Sequence, residues 1–361
     1  MSSVKSSRRV GLALCLAVAA LAGCGGGGGG GGGGSSGPSP SKVFFTDGGN
    51  GAIVSFSTVT PTAAFNIDRV VEGPHTGLPS SGILAIPSIA LDAAHDRLYV
   101  ATQGNTFVYN SISTADGDVA PSVTMSATIN TGTGNRGVNF AFSDLNRTTG
   151  ALYSMDFAGE VHVINSPLTT PTAVSRLINP DLGATTVLGG FGLALDPAND
   201  MLYAGVVFSG TGSSNIIVYN NASTIGTAPT TITPVAPSRT LSFANAVGSF
   251  FLDTVHDRLY VSQATGVVLV FDNAHTLATG TPTPNRTIDL GGGTAIQFYI
   301  FVDTSRDKLY VVASNTGAQV GAFAYVDNAS TANDPVPDAA VHAFTFSGVP
   351  NIALSAIAVA P

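Results

Sequence analysis

The sequence has no tryptophan, two cysteines and few charged residues. Charged residues make up 10% of the chain, and without Trp it cannot carry the Trp-Asp or Trp-docking signatures of repeat proteins. Cys15 lies in an apolar N-terminal run that we expect to be removed, so the mature chain keeps Cys24 alone. A single cysteine excludes an internal disulfide, and we expect no thiol catalysis.

Basic residues are also scarce. Three of the 14 Lys and Arg residues (Lys5, Arg8 and Arg9) precede the expected cleavage point, which leaves 11 against 22 acidic residues, a net charge of −11. This balance argues against nucleic acid and anionic lipid surfaces as partners. The chain is instead rich in Thr, Ser, Asn and Ala, as a β-rich extracytoplasmic protein would be.

The N-terminus combines a basic start, an apolar run over residues 10–21 and the phrase L-A-G-C at 21–24. The run is too short to cross a bilayer as a helix and has the length of a signal-peptide core. The phrase resembles the lipobox of bacterial lipoproteins. It implies a signal peptide at 1–23 and an acyl chain such as palmitate on Cys24. The alternative is an ordinary secretory signal with an incidental Cys.

Ten consecutive glycines at 25–34 and a Ser/Pro-rich stretch to 41 follow the cysteine. Such chains behave as flexible coils, and residues 25–41 would reach roughly 20–25 Å. We therefore expect a lipidated tether at 24–41 and a folded domain at 42–361. The expected localisation is a bacterial membrane, the outer membrane by preference, with the protein exported and lipid-anchored.

A ten-residue phrase organises this domain. An apolar run ends in Asp, a polar turn follows, and a second apolar run begins at Leu-Tyr. The copies are L-D-A-A-H-D-R-L-Y-V at 91–100, L-D-P-A-N-D-M-L-Y-A at 195–204, L-D-T-V-H-D-R-L-Y-V at 252–261 and V-D-T-S-R-D-K-L-Y-V at 302–311. The phrase predicts a β-hairpin in which Asp92, Asp196, Asp253 and Asp303 accept hydrogen bonds from backbone N–H groups two or three residues on.

The Leu-Tyr pair recurs at intervals near 50 residues, at Tyr99, Tyr153, Tyr203, Tyr260 and Tyr310. Each interval holds four short strand patterns, which indicates an all-β propeller of four-stranded blades. Five blades fall between about 86 and 346. A sixth needs both termini: residues 43–45 supply its second strand and residues 355–359 its first, so the C-terminal strand closes the ring in the N-terminal blade.

The D-x-x-x-D-R-L-Y phrases and the turns V-F-D-N-A-H-T at 270–276 and Y-V-D-N-A-S-T at 325–331 resemble six-bladed bacterial propellers of the NHL-repeat and gluconolactonase-like kind. Gluconolactonase-like propellers hold a divalent ion in the channel with Glu, Asn and Asp. This chain has two Glu, Glu72 and Glu160, and its first strands are apolar with few exceptions, of which Asn139 is one. We therefore predict no metal ligands and no cofactor. His95 and His256 are assigned to surface turns, and His162 has no ligand partner at short spacing.

The predicted function is a binding or scaffold module, with an envelope protein, glycan or small molecule as partner; the alternatives are a lactonase-like or lyase-like enzyme and a passive surface protein. We place the ligand on the face with the irregular loops, opposite the Asp turns, because variable loops on a regular scaffold tend to carry function. The alternative interpretation is that the candidate residues on this face are ordinary solvated loop residues. The candidates are Glu72, His75, Asn135, Arg136, Asp156, Gln263, Gln297 and Asn315.

Overall fold

The structure is a computed structural model that describes residues 42–56, 67–80, 88–102, 104–126, 128–130, 135–137, 140–183, 185–209, 212–290, 296–315, 321–332, 341–345 and 354–360. Of 128–130, 135–137, 296–298, 313–315, 321–325 and 341–345, the backbone alone is described. In this part of the chain no helix is both long and apolar enough to span a membrane.

The secondary structure of these residues is almost entirely β. In chain order the strands are β1 (Lys42–Asp47), β2 (Ala52–Phe56), β3 (Arg69–Val71), β4 (Ser88–Asp92), β5 (Arg97–Ala101), β6 (Asn105–Asn110), β7 (Val123–Ser126), β8 (Thr128–Asn130), β9 (Asn135–Gly137), β10 (Phe140–Leu145), β11 (Leu152–Asp156), β12 (Val161–Ile164), β13 (Arg176–Pro180), β14 (Val187–Asp196), β15 (Met201–Phe208), β16 (Ser214–Asn220), β17 (Pro234–Val235), β18 (Arg239–Phe243), β19 (Val247–Asp253), β20 (Arg258–Gln263), β21 (Val267–Asp272), β22 (Arg286–Asp289), β23 (Ile296–Asp303), β24 (Lys308–Asn315), β25 (Gly321–Asp327), β26 (Val341–Thr345) and β27 (Leu354–Ala360). Two 3-10 helices lie at Ala93–His95 and Ala274–Thr276.

The strands form six four-stranded blades, which confirms the predicted propeller. Blade 1 is β27-β1-β2-β3, blade 2 is β4 to β7, blade 3 is β10 to β13 with β17 added, blade 4 is β14-β15-β16-β18, blade 5 is β19 to β22, and blade 6 is β23 to β26. A separate β8-β9 hairpin lies between blades 2 and 3 in the chain. First strands surround the channel, and fourth strands form the outer edges.

The predicted ring closure is confirmed. β27 pairs antiparallel with β1, with Lys42 opposite Ala360 and Phe45 opposite Ile357. The buried hydroxyls of Thr46 and Ser355 lie 3.0 Å apart across this pair. Because β27 occupies the first-strand position of blade 1, the inner edge of β1 is paired within this sheet.

The hydrophobic core is divided among the blade junctions. Six buried clusters are found in the described residues, one for each pair of neighbouring blades. The tyrosines of the Leu-Tyr phrase are at most 2% exposed and pack in these clusters. The repeat therefore supplies both faces of each junction with apolar side chains.

Each copy of the repeated phrase contains two Asp residues, and the two have different structural roles. The first Asp holds its own turn: Asp196, Asp253 and Asp303 each accept backbone N–H groups two and three residues on. Asp92 departs from this prediction. Its turn is the 3-10 helix Ala93–His95, which has no side-chain cap, and its carboxylate instead contacts His95 Nδ1 at 2.8 Å.

The second Asp adopts a left-handed backbone, with φ of 52° to 53°, at Asp96, Asp200, Asp257 and Asp307. Asp can adopt this conformation at modest cost, because its short side chain hydrogen-bonds locally. Its carboxylate then reaches the loop after the third strand. Asp200, for example, accepts Ser223 N at 2.7 Å and Ser223 Oγ at 2.8 Å. The phrase thus joins two loops of one blade.

Blades are joined to one another by arginines that open the fourth strand. Arg239 donates to the carbonyls of His275 at 2.6 Å and Leu277 at 2.9 Å in blade 5. Arg286 does the same to Ala329 and Ala332 in blade 6, at 3.0 and 3.1 Å. Equivalent bonds from Arg69 and Arg176 reach the matching loops of blades 2 and 4.

The outer edges of blades 1, 3 and 4 are covered by loops of the following blade. Gly117 bridges to Val71, and Gly280 bridges to Leu241, both in parallel. β17, which belongs to a loop of blade 4, pairs in parallel with β13 of blade 3. Covered edges are less able to pair with another chain, so these loops protect the propeller against aggregation.

Candidate functional site

A cavity occupies the central channel of the described structure. Its volume is about 570 Å³, and all six blades line it through their first strands, β27, β4, β10, β14, β19 and β23. The lining continues into the Asp turns, where it includes Ala94, Thr148, Pro197 and Val255. The cavity therefore extends to the face that we expected to be structural alone.

Large apolar side chains remain partly exposed along this channel. Ile89, Leu193, Phe251, Tyr299 and Phe301 all line the cavity and are only half-buried. The rings of Phe251 and Phe301 have centroids 4.8 Å apart. Burial raises the pKa of Tyr299 to about 12. Its hydroxyl is a hydrogen-bond donor at neutral pH, as an ordinary tyrosine hydroxyl with a pKa near 10 also is. The channel wall thus combines apolar side chains with the phenolic hydroxyl of Tyr299.

The carboxylates along the channel are engaged with backbone groups. Asp144 accepts Leu145 N at 2.8 Å through Oδ1 and Leu195 N at 2.9 Å through Oδ2, which connects blade 3 to blade 4. Burial raises the pKa of Asp144. Asp253 and Asp303 hold their turns as described above. The cavity lining in the described residues contains neither Glu nor His.

Two of the predicted site residues lie on the outer seam between blades 1 and 2. His75 donates its backbone N–H to Asp118 at 2.9 Å, and its Nδ1 lies 2.6 Å from the second oxygen of the same carboxylate. The hydrogen bond from His75 lowers the pKa of Asp118. Glu72 is exposed and donates its backbone N–H to Gly117 at 3.1 Å. Neither side chain lines the channel.

Two other predicted residues are buried at the ends of strands in separate blades. Gln263, in blade 5, accepts the Asn245 side-chain amide at 3.2 Å. Asp156, in blade 3, accepts Ala158 N at 2.9 Å and Glu160 N at 3.0 Å through Oδ1. Cys24 and the side chains of the other four candidates lie outside the described residues; these four are Asn135, Arg136, Gln297 and Asn315. A shared ligand site on this face stays a prediction.

The structure also reveals a polar cluster that spacing alone did not suggest. Asp156, Glu160 and His162 are 4%, 8% and 0% exposed, and one ligand-type atom of each lies within 4.8 Å of the others. The turn after β11 brings Asp156 beside the start of β12, where Glu160 directly precedes the strand and His162 lies two residues further on. The signal available in the sequence was D-x-x-x-E-x-H across a short hairpin, two types of ligand on neighbouring strands.

Comparisons with known proteins add only a similarity of fold. No protein-family model and no curated protein matches the sequence. A similar solved structure is the "WD40 beta propeller domain of Doa1", with 12% sequence identity, 80% of this chain and 76% of that chain covered, and a TM-score of 0.48. The architecture of this chain is accordingly taken from its own six sheets.

Proposed function

We propose that this chain is an exported lipoprotein whose propeller binds a small apolar or amphipathic molecule in its central channel. The observation that carries the proposal is the channel itself, about 570 Å³, with large apolar side chains partly exposed along its wall. Small-molecule sites are typically cavities of roughly 300–1,000 Å³, mostly apolar, with few polar groups that fix orientation. The propeller fold is consistent with a binding or scaffold module.

The polar group that would orient such a ligand is Tyr299. Tyr299 is among the residues that line the channel, and a phenol is protonated at neutral pH, so it can donate a hydrogen bond to a ligand. The nearby Phe251 and Phe301 would supply aromatic surface. Because Asp144 and Asp253 already accept backbone N–H groups, they would contribute less to ligand binding than the apolar wall does.

The anchor in this proposal rests on the N-terminal sequence. The L-A-G-C phrase at 21–24 supplies the acylation site, and the glycine stretch supplies a tether. A single acyl chain holds a protein to a membrane only marginally, so stable anchoring implies more than one chain on Cys24. The propeller would then present its channel to the space next to the membrane.

The channel can be tested with two substitutions in the same strand, β14. Leu193 lines the channel, whereas Leu188 is 65% exposed and does not. Leu193→Trp should fill the channel, and Leu188→Trp adds the same bulk outside it. The probe is Nile red, a neutral apolar dye whose fluorescence rises in an apolar environment from which water is excluded. We expect the wild type and Leu188→Trp to enhance its fluorescence and Leu193→Trp to lose most of the effect.

Melting temperatures recorded alongside show whether Leu193→Trp still folds. Tyr299→Phe provides a milder probe, because it keeps the ring and removes the hydroxyl. Absence of dye binding by the wild type, or equal binding by a folded Leu193→Trp variant and Leu188→Trp, would show that the channel does not take apolar molecules.

A further inference from the structure

Blade 3 departs from the apolar pattern of the other blades along one row that crosses the sheet. Strand pairing places Ser143 opposite Ser154, and Ser154 opposite His162. The equivalent rows are apolar: Ile89, Val100 and Phe107 in blade 2, Leu193, Ala204 and Ile217 in blade 4, and Phe250, Val261 and Leu269 in blade 5. A histidine thus stands where the repeat otherwise places an apolar side chain.

The imidazole of His162 is fully buried and makes no hydrogen bond. The residue is 0% exposed, and neither Nδ1 nor Nε2 has a hydrogen-bond partner. The ring of Phe140 packs edge-on against it, with centroids 5.8 Å apart. A buried polar group without a partner is costly, and such exceptions in a native fold call for a functional cause or a bound group.

The geometry around His162 fits a metal ion. Its Nε2 lies 3.5 Å from Asp156 Oδ2. Two ligand atoms that are each 2.0–2.1 Å from a tetrahedral zinc ion lie about 3.4 Å apart. The other oxygen of Asp156 is fixed by Ala158 N and Glu160 N, so the carboxylate is already oriented. Glu160 brings a second carboxylate within 4.8 Å.

The facing surface of blade 2 offers a fourth polar group. Met125 and Val108 of blade 2 share a buried cluster with Phe140 and Leu177 of blade 3. Thr106 lies two residues before Val108 on β6, so its side chain points to the same junction. Its Oγ1 is buried and has no hydrogen-bond partner. The junction therefore holds unpaired polar atoms on both of its sides.

We propose that Asp156, Glu160 and His162 bind one divalent transition-metal ion, with Zn²⁺ as the best match. One imidazole nitrogen and two carboxylates suit zinc and its first-row neighbours, whereas calcium and magnesium take all-oxygen sites. The ion binds one oxygen of each carboxylate and Nε2 of His162. It connects the turn after β11 to β12 and stabilises the junction with blade 2.

The test uses the full-length protein, purified without a histidine tag and dialysed against EDTA. Zn²⁺ is titrated in competition with a chromogenic chelator, and Co²⁺ is added separately to record its visible absorption. We expect one ion per chain and the intense cobalt bands of a four-coordinate site. Glu160→Gln and Asp156→Asn keep the side-chain volume, and Asp156→Asn also keeps the Oδ1 acceptor. Each should lower Zn²⁺ affinity at least about tenfold, the effect seen even for outer-shell partners of metal sites.

The matched control is His256→Gln. His256 also contacts an aspartate, with Nδ1 2.9 Å from Asp253 Oδ2, but it lies on the surface. This variant should bind Zn²⁺ as the wild type does. Zn²⁺ should raise the melting temperature of the wild type and of His256→Gln by similar amounts, and that of Glu160→Gln by clearly less at the same Zn²⁺ concentration. A wild type that binds no stoichiometric zinc, or Glu160→Gln and Asp156→Asn variants with unchanged affinity, would overturn the proposal.

Discussion

Closure of the ring by β27 makes a quantitative prediction for Ile357→Ala. Ile357 is 7% exposed and packs in the cluster that joins blades 1 and 6, together with Phe45, Phe56 and Tyr310. The substitution leaves the backbone of β27 and its pairing with β1 in place. The entropy of ordering the strand therefore cancels, and the measured change reports packing alone.

The expected loss follows from the cavity that the substitution leaves. Ile→Ala at a buried site costs about 2–5 kcal/mol of unfolding free energy. Total stabilities of proteins are roughly 5–15 kcal/mol, so the loss is a large fraction. For a domain of this length the unfolding entropy converts that cost into a drop of about 3–7 °C in melting temperature. Val255→Ala is the control, since Val255 is 72% exposed and should change stability by less than about 0.5 kcal/mol.

The measurement is urea unfolding of both variants, followed by circular dichroism and by tyrosine fluorescence, with thermal melts alongside. Deletion of residues 354–361 is a more severe change, because it exposes the pairing edge of β1. This variant should self-associate. If Ile357→Ala unfolded at the same urea concentration as Val255→Ala, or if the truncated chain melted at the wild-type temperature, the ring would not depend on this strand.

Three further predictions concern the lipid anchor, the carboxylate of Asp144 in the channel and the arginines that join neighbouring blades. Cys24→Ala should move the protein from the membrane to the soluble fraction on cell fractionation; unchanged membrane retention would refute acylation. The raised pKa of Asp144 means that the contribution of this residue to stability falls as pH rises from the ordinary Asp pKa of about 4 to the raised value. The unfolding free energy of Asp144→Asn, measured from pH 4 to 8, should therefore increase relative to that of the wild type over that rise; a pH-independent difference would contradict this. Arg239→Ala should cost about 1.5–3 kcal/mol through its lost charged hydrogen bonds, and Arg239→Lys should not restore them, because one ammonium cannot replace the planar fork; full rescue by Lys would contradict this reasoning.

The fold was predictable because each blade repeats one local signal. The Asp turn and the Leu-Tyr strand are short-range patterns, and five copies fix the period. Even the closing strand could be found, since one blade lacked a first strand. The prediction for Asp92 was wrong because Ala93–His95 forms a 3-10 helix in place of the capped turn of the other copies.

The contacts between blades could not be read in the same way. The bonds of Arg239 join residues 36 and 38 positions apart, and their geometry depends on how one blade packs on the next. His75 was a reasonable candidate from its residue type and loop, but only the fold shows that a loop of blade 2 places Asp118 beside it. Loop residues of this kind require the tertiary structure before a role can be assigned.

Blade 3 is where the repeat is broken in several ways at once. Its turn has N-R-T-T-G in place of the second Asp, and Arg147 instead donates to the carbonyl of Leu91 in blade 2 at 3.1 Å. In the same blade, Ser143 belongs both to the channel wall and to the polar row that ends at His162. Sequences tend to violate their own structural pattern where function demands it. Since blades 2, 4 and 5 keep this row apolar, the polar residues at the junction of blade 3 with blade 2 are the local exception from which the zinc proposal is argued.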